Sequence, residues 1–129
     1  MSDTAGITAT ARSFLLLCAL LLPLSSATAA NHEHETLSGE EIRALIAGNT
    51  VTGSMSSGQD YAEFYAEDGT IHGDGYTGSW SIDDHAMCFD YGEGGTCYRV
   101  AADGKSITWI LEGEVDGTGV VREGNPMGM

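Results

Sequence analysis

Three groups of residues in this chain have the types and spacing that chemistry would need. The first surrounds the dipeptide Asp68-Gly69. A two-residue turn there pairs Tyr65 with His72, Glu63 with Asp74 and Tyr61 with Tyr76. Carboxylates placed directly opposite each other repel unless something bridges them. With the imidazole of His72 beside them, Glu63 and Asp74 make a candidate set of ligands for a divalent cation. The alternating acids and glycine of a calcium loop are absent. A solvated outer face, with water screening the two acids, is therefore the simpler expectation. The second group is Ala30-Asn31-His32. If these residues begin the mature chain, a free amine, two amide nitrogens and an imidazole offer a square-planar set for Cu(II) or Ni(II), with His34 close by. A short polar terminus of this kind is more often an unstructured leader.

Cys88 and Cys97 form the third group. They sit in AMCFDYGEGGTCYRV, two strand-like runs around a glycine-rich turn. A two-residue turn at Gly92-Glu93, with Gly supplying the positive φ, makes Tyr91 face Gly94 and places Cys88 directly opposite Cys97. Counting outward from the turn, this is a non-hydrogen-bonded pair, whose Cα atoms are closely spaced as a disulfide requires. A four-residue loop, Gly92 to Gly95, would make the two cysteines diagonal neighbours and would still allow the bond. Eight residues separate them, where a redox-active dithiol usually has two, so the reading is structural. Nucleophilic catalysis finds no footing: there is no G-x-S-x-G turn, and the disulfide uses both cysteines. A domain of this size also offers little cleft for a substrate, so an enzyme is not expected.

The elements that must hold these residues begin after a leader. FLLLCALLLPL, residues 14–24, is an uncharged apolar run behind Arg12, too short to span a bilayer. Ala27-Thr28-Ala29 supplies a cleavage pattern, so residues 1–29 read as a signal peptide that is removed, and residues 30–36 as a flexible leader. Cys18 follows Leu17 inside the run and does not fit a lipid-attachment site. An exported chain of this length, with two remaining cysteines, is expected to be periplasmic or secreted and disulfide-bonded. Nothing in it calls for membrane insertion after the leader is cut.

Lys and Arg number 5 against 19 Asp and Glu, a formal net charge of −14. Loss of Asp3 and Arg12 with the leader leaves that value unchanged. A chain this acidic lacks the positive footprint that nucleic acid or an anionic membrane surface requires. Its field favours solubility and cationic partners. The scatter of the carboxylates suits a salt-rich exterior, where ions screen their repulsion.

Residues 37–123 read as one mainly β domain. Ser38-Gly39-Glu40-Glu41 is a capping box, and Ile42, Leu45 and Ile46 lie on one stripe ahead of Gly48-Asn49, predicting a helix over 39–47. Leu37 stands where a hydrophobic staple would pack. Short runs then follow: 50–55, 60–67, 70–82, 86–91, 96–101, 106–114 and 119–122. Turn dipeptides mark their ends, among them Asp68-Gly69, Asp103-Gly104 and Asp116-Gly117, with Asp83-Asp84 a looser one. The connections are too short for crossover helices, so about seven strands run antiparallel in a small meander or barrel. Alternation puts Ile107, Trp109 and Leu111 on one face, and Met87, Phe89, Tyr98 and Val100 on another; the cysteines take the outward side. Phe64, Ile71, Trp80 and Trp109 are expected in the core, lining any cavity that it leaves. Phe64 shares its face with Ala62, Ala66, Gly73 and Gly75, a lining small enough to leave a cavity. Residues 124–129 read as a loose tail.

LIAGNT, EFYAEDGTIHG, GSWSI and MCFDYGEGGTCYRV occur in that order between Leu37 and Val100. The layout resembles a group of small secreted proteobacterial β proteins of unknown function with the pattern G-N-T, aromatic-x-x-D-G-T, G-x-W and C…C-Y. The resemblance implies a single extracytoplasmic β domain with Cys88 and Cys97 bonded, and it brings no known catalytic residue. Gly78-Ser79-Trp80 is also similar to the G-x-W of lipocalin-like barrels and of small periplasmic barrel inhibitors, although here it follows the second hairpin rather than lying on the first strand. The function expected is a monomeric binding or interaction module for a small molecule or a protein. Handling of a divalent cation, and inhibition of a secreted hydrolase, are the alternatives.

Overall fold

Thr36 bridges to Ala101 and the Leu37 amide donates to the Val100 carbonyl at 2.7 Å, which ties the end of the expected leader to the domain ahead of Ser38. The Ser38 hydroxyl accepts from the Glu41 amide at 3.2 Å and donates to the Glu41 carboxylate at 3.0 Å, starting helix α1 (Gly39–Ile46). Gly48, at φ +75°, ends it, and the Asn49 side chain donates to the carbonyl of Leu45 at 2.8 Å. Ile42 and Ile46 are fully buried, so this short helix is fixed by packing rather than by its own propensity.

The computed structural model describes residues 34–129. The predicted signal peptide and the Ala30-Asn31-His32 metal site lie outside the described residues. Within them, α1 is followed by strands β1 (Asn49–Met55), β2 (Asp60–Tyr65), β3 (Thr70–His72), β4 (Thr77–Asp83), β5 (Ala86–Asp90), β6 (Gly95–Asp103), β7 (Ser106–Leu111) and β8 (Glu114–Arg122). Each strand pairs antiparallel with the next, and β8 returns to pair with β1, closing a barrel. An even number is required for this closure, because in an up-and-down order the first and last of seven strands would run parallel. The eighth strand comes from the run 70–82, which breaks at Gly73–Tyr76, where the Gly73 amide donates to the Tyr76 carbonyl at 3.0 Å.

Two turns depart from the expected register or position. At Asp68-Gly69 the loop has three residues rather than two. The Gly69 amide donates to the Ala66 carbonyl, the Ala66 amide donates to the Thr70 carbonyl, and Gly69 takes φ +91°. This is a turn followed by a left-handed bulge residue. The Asp68 carboxylate accepts from the Thr70 amide at 2.9 Å, which fixes the loop and lowers its pKa. Register moves by one, pairing Phe64 with His72 and Tyr65 with Ile71, and such a slip exchanges faces. Asp116-Gly117 is not a turn. The β7–β8 hairpin turns at Glu112-Gly113, both at positive φ, and Asp116 lies within β8 beside a register shift between Trp109 and Ile110. An extra residue at such a bulge re-aims its side chain.

The cysteine hairpin has the predicted register. Cys88 opposes Cys97 with Cα atoms 3.9 Å apart, and the two are bonded. Pairing ends at Asp90 and Gly95, so the loop is Tyr91–Gly94 rather than a two-residue turn. No helix among the described residues is long and apolar enough to cross a membrane. The tail is tied at its start: Gly124 donates to Asn49 and accepts from Thr50.

The helix stands at the end of the barrel that holds the β4–β5 turn. The Gly39 amide donates to His85 Nδ1 at 3.1 Å, and a side chain at Gly39 would run into the Asp84 carbonyl. In an up-and-down barrel the loops β1–β2, β3–β4, β5–β6 and β7–β8 all gather at the other end. Ile42, Ile46, Val51, Ile71, Met87, Val100, Ile107 and Val121 fill the interior, in one cluster with Trp80.

Candidate functional site

Tyr61, Glu63 and Tyr65 alternate along β2 and point into the barrel, while Phe64 points out. Glu63 is only 5% exposed and Tyr65 1%. Phe64 stacks on His72 outside, with ring centroids 6.0 Å apart, and Asp74 is exposed in the β3–β4 loop. Glu63, His72 and Asp74 are therefore not brought together. The two-residue turn assumed from sequence placed them on one face, and the bulged three-residue loop parts them. Among the described residues no group of three or more His, Cys, Asp or Glu side chains is close enough to hold a metal ion.

A cavity of about 510 Å³ occupies the barrel's loop end. Its walls include Tyr61, Glu63, Tyr65, Phe89, Tyr98 and Trp109, with Tyr76 and Tyr91 at the rim. Of the four residues expected to line a cavity, Trp109 does. Ile71 and Trp80 lie in the packed core, the Trp80 indole donating to the Ala66 carbonyl at 2.9 Å and lying 5.1 Å from the Arg43 guanidinium. Phe64 faces away.

Glycines in the β1–β8 seam make room for Tyr61 and Met55, which line the cavity. Tyr61 pairs with Gly53 on β1, and Gly53 pairs with Gly119 on β8. A side chain at Gly119 would meet the Tyr61 hydroxyl, and one at Gly117 would meet Met55. With neither present, Tyr61 reaches across β1, donating to the Thr118 carbonyl at 2.9 Å and accepting from the Trp109 indole at 2.7 Å. The two bonds tie β2 to β8 and β7 across β1.

Glu63 forms the polar floor. Tyr91 donates to both carboxylate oxygens, at 2.9 and 2.8 Å, and Tyr65 donates to Oε1 at 3.1 Å. Among the described residues no Lys, Arg or His reaches Glu63 within ion-pairing distance; the one such contact is His85 with Asp84, on the outside. Buried charge normally has a counter-charge, and here hydroxyls alone attend it. Nearer the rim, Asp116 accepts from Tyr98 at 3.2 Å and from Ser56 at 2.9 Å, where the β8 bulge aims it.

No family model, curated protein or solved structure matches the chain.

The phenols are held neutral. Burial first, and then the negative Glu63, pushes Tyr76 up to about 12 and raises Tyr91 further. Tyr61 also rises to about 12 through burial, against the lowering effect of the Trp109 bond. Burial followed by Glu63 lifts Tyr65 well above its ordinary value, and burial followed by Asp116 raises Tyr98. Raised values in the folded state mean that the unfolded chain loses these protons first. Stability is then retained below the ordinary tyrosine range and lost as pH rises through the folded values. The urea midpoint is accordingly expected to hold steady up to about pH 9 and to fall steeply by about pH 11. Equilibrium unfolding across that range checks it.

The tyrosine ring around Glu63 was not singled out in the sequence. One signal for it is present: Gly117 and Gly119 alternate on β8 beside Gly53 on β1. A column of glycines on the inward face of a sheet leaves space for a large residue from the neighbouring strand.

Proposed function

We propose that this protein is an extracytoplasmic binding module that holds one small molecule in the open end of its barrel. The observation that carries the reading is the cup itself. Aromatic walls enclose a single buried carboxylate in about 510 Å³, a size within the usual range for small-molecule sites. Eight strands leave an interior wide enough either for side-chain packing or for one small ligand. This barrel does each at a different end: aliphatic packing under the helix, and aromatic residues around space at the loops. An interior made only for stability would fill that space, since voids forfeit contact energy. Export is supported by the apolar leader with its A-x-A pattern and by the Cys88–Cys97 bond, which persists in oxidising compartments.

The test is thermal stabilisation of the disulfide-bonded protein by a panel of small amines, alcohols, fatty acids and sugars. Thr96 lines the cup on β6 and is exposed, so Thr96→Trp places an indole in the opening without disturbing the packed end. At least one class of compound is expected to raise the melting temperature of the wild type and to leave Thr96→Trp unmoved. No stabilisation by any class, or equal stabilisation of both proteins, would refute the reading.

A further inference from the structure

We propose that the ligand is an organic cation with an alkylated ammonium head, seated against Glu63 and walled by Tyr61, Tyr76, Tyr91, Tyr98 and Trp109. The inference rests on the binding reading above and adds the chemical class.

Charge is the first argument. Glu63 is 5% exposed and has no cationic side chain near it among the described residues. Hydroxyl donors orient a carboxylate, but they do not supply the opposite charge that a buried ion calls for. A cationic ligand completes the pair. The chain's net charge of −14 acts in the same sense at longer range, concentrating cations and repelling anions at the opening.

Ring geometry is the second. Phe89, Tyr98 and Trp109 stand at 73°, 87° and 63° to one another, with centroids 5.2–6.2 Å apart, like the planes that meet at the corner of a box. Tyr76 and Tyr91 form another such pair at the rim, at 65°. All five rings line the cavity, and a cation held over an aromatic face is attracted by the negative charge of that face. Because the phenols remain neutral, they act as ring faces and hydroxyl donors rather than as anions.

Hydrogen-bond capacity separates an alkylated ammonium from its competitors. Oε1 of Glu63 already accepts from Tyr65 and Tyr91, and Oε2 accepts from Tyr91. A primary ammonium brings three N–H donors, and the floor carboxylate, already accepting three hydrogen bonds, has few sites left for them. An alkylated nitrogen brings few or none and buries its methyl groups against the rings. A hard divalent cation would need six or more oxygens, and the single carboxylate of the floor does not supply them.

The experiment is a calorimetric titration of the disulfide-bonded protein with choline, with its neutral isostere in which carbon replaces the ammonium nitrogen, and with Ca(II). Choline is expected to bind saturably at one site, at least roughly tenfold tighter than the isostere. Glu63→Gln is expected to remove that preference. Tyr76→Leu alters an exposed rim ring and leaves the packed end untouched, so it tests the wall even if Glu63→Gln does not fold; it is expected to weaken choline several-fold. If the isostere binds as well as choline, the charge assignment is wrong while the binding reading stands. Binding of Ca(II) alone, or of none of the three, also overturns the inference. The stabilisation panel then decides the broader reading separately.

Discussion

Gly53→Ala is expected to destabilise the protein by about 3 kcal/mol, lowering its melting temperature by roughly 10–20 °C. The added methyl would run into the Thr118 carbonyl and the Gly119 Cα, which are backbone atoms of the neighbouring strand and cannot turn aside as a side chain can. Relief requires β1 and β8 to separate, and that seam closes the barrel. The same separation withdraws the surface along which Tyr61 reaches Trp109, so ligand binding is expected to fail together with stability. Gly95→Ala supplies the comparison. A methyl there meets nothing nearer than the Phe89 carbonyl at 3.8 Å, and Gly95 is not among the positive-φ glycines. Its effect is expected within about 0.5 kcal/mol of zero. Thermal melts of the two variants side by side check the difference, and equal losses would mean that the seam is looser than its glycines imply.

The second large effect is expected from the disulfide. Replacing Cys88 and Cys97 together by serine should cost roughly 2–3 kcal/mol, the loop-closure entropy of a bond spanning nine positions. Reduction of the native protein should do the same. Cys88 and Cys97 lie on the outward face of the β5–β6 hairpin, whereas Phe89 and Tyr98 face the cup. The bond therefore acts on the unfolded chain more than on the site. Whatever fraction of the double variant remains folded is expected to bind ligand as the wild type does. Urea unfolding with and without reductant gives the first quantity, and titration below the midpoint gives the second. A loss of affinity in the folded fraction would show that the bond shapes the cup.

The fold was largely legible in the sequence, and the site was not. Capping at Ser38, the Ile42–Ile46 stripe and the glycine stop depend on local chemistry, and the helix formed where they placed it. The cysteine register, counted outward from a turn centred on Gly92-Glu93, holds in the structure because the longer loop there keeps the same centre. Alternation alone placed Met87, Phe89, Val100, Ile107 and Trp109 inward. Faces around Asp68-Gly69 depended instead on whether the loop has two residues or three. That choice is made by the Asp68 carboxylate on the Thr70 amide and by the positive φ of Gly69. A general preference for Phe over Glu inside then carried the assignment the wrong way, turning Phe64 inward and Glu63 outward. Burial of Glu63 is bought by hydroxyls from Tyr65, its near neighbour, and from Tyr91, 28 positions away, a partnership that no local pattern announces.

Everything proposed for the cup depends on which way the Glu63 side chain points. Through-space NMR contacts from its side-chain protons report this directly in the disulfide-bonded protein. Cross-peaks from Glu63 to the rings of Tyr65 and Tyr91 are predicted, together with a separate set between Phe64 and His72. Cross-peaks joining Glu63 to His72 or Asp74, with Phe64 among the core signals, would contradict the account.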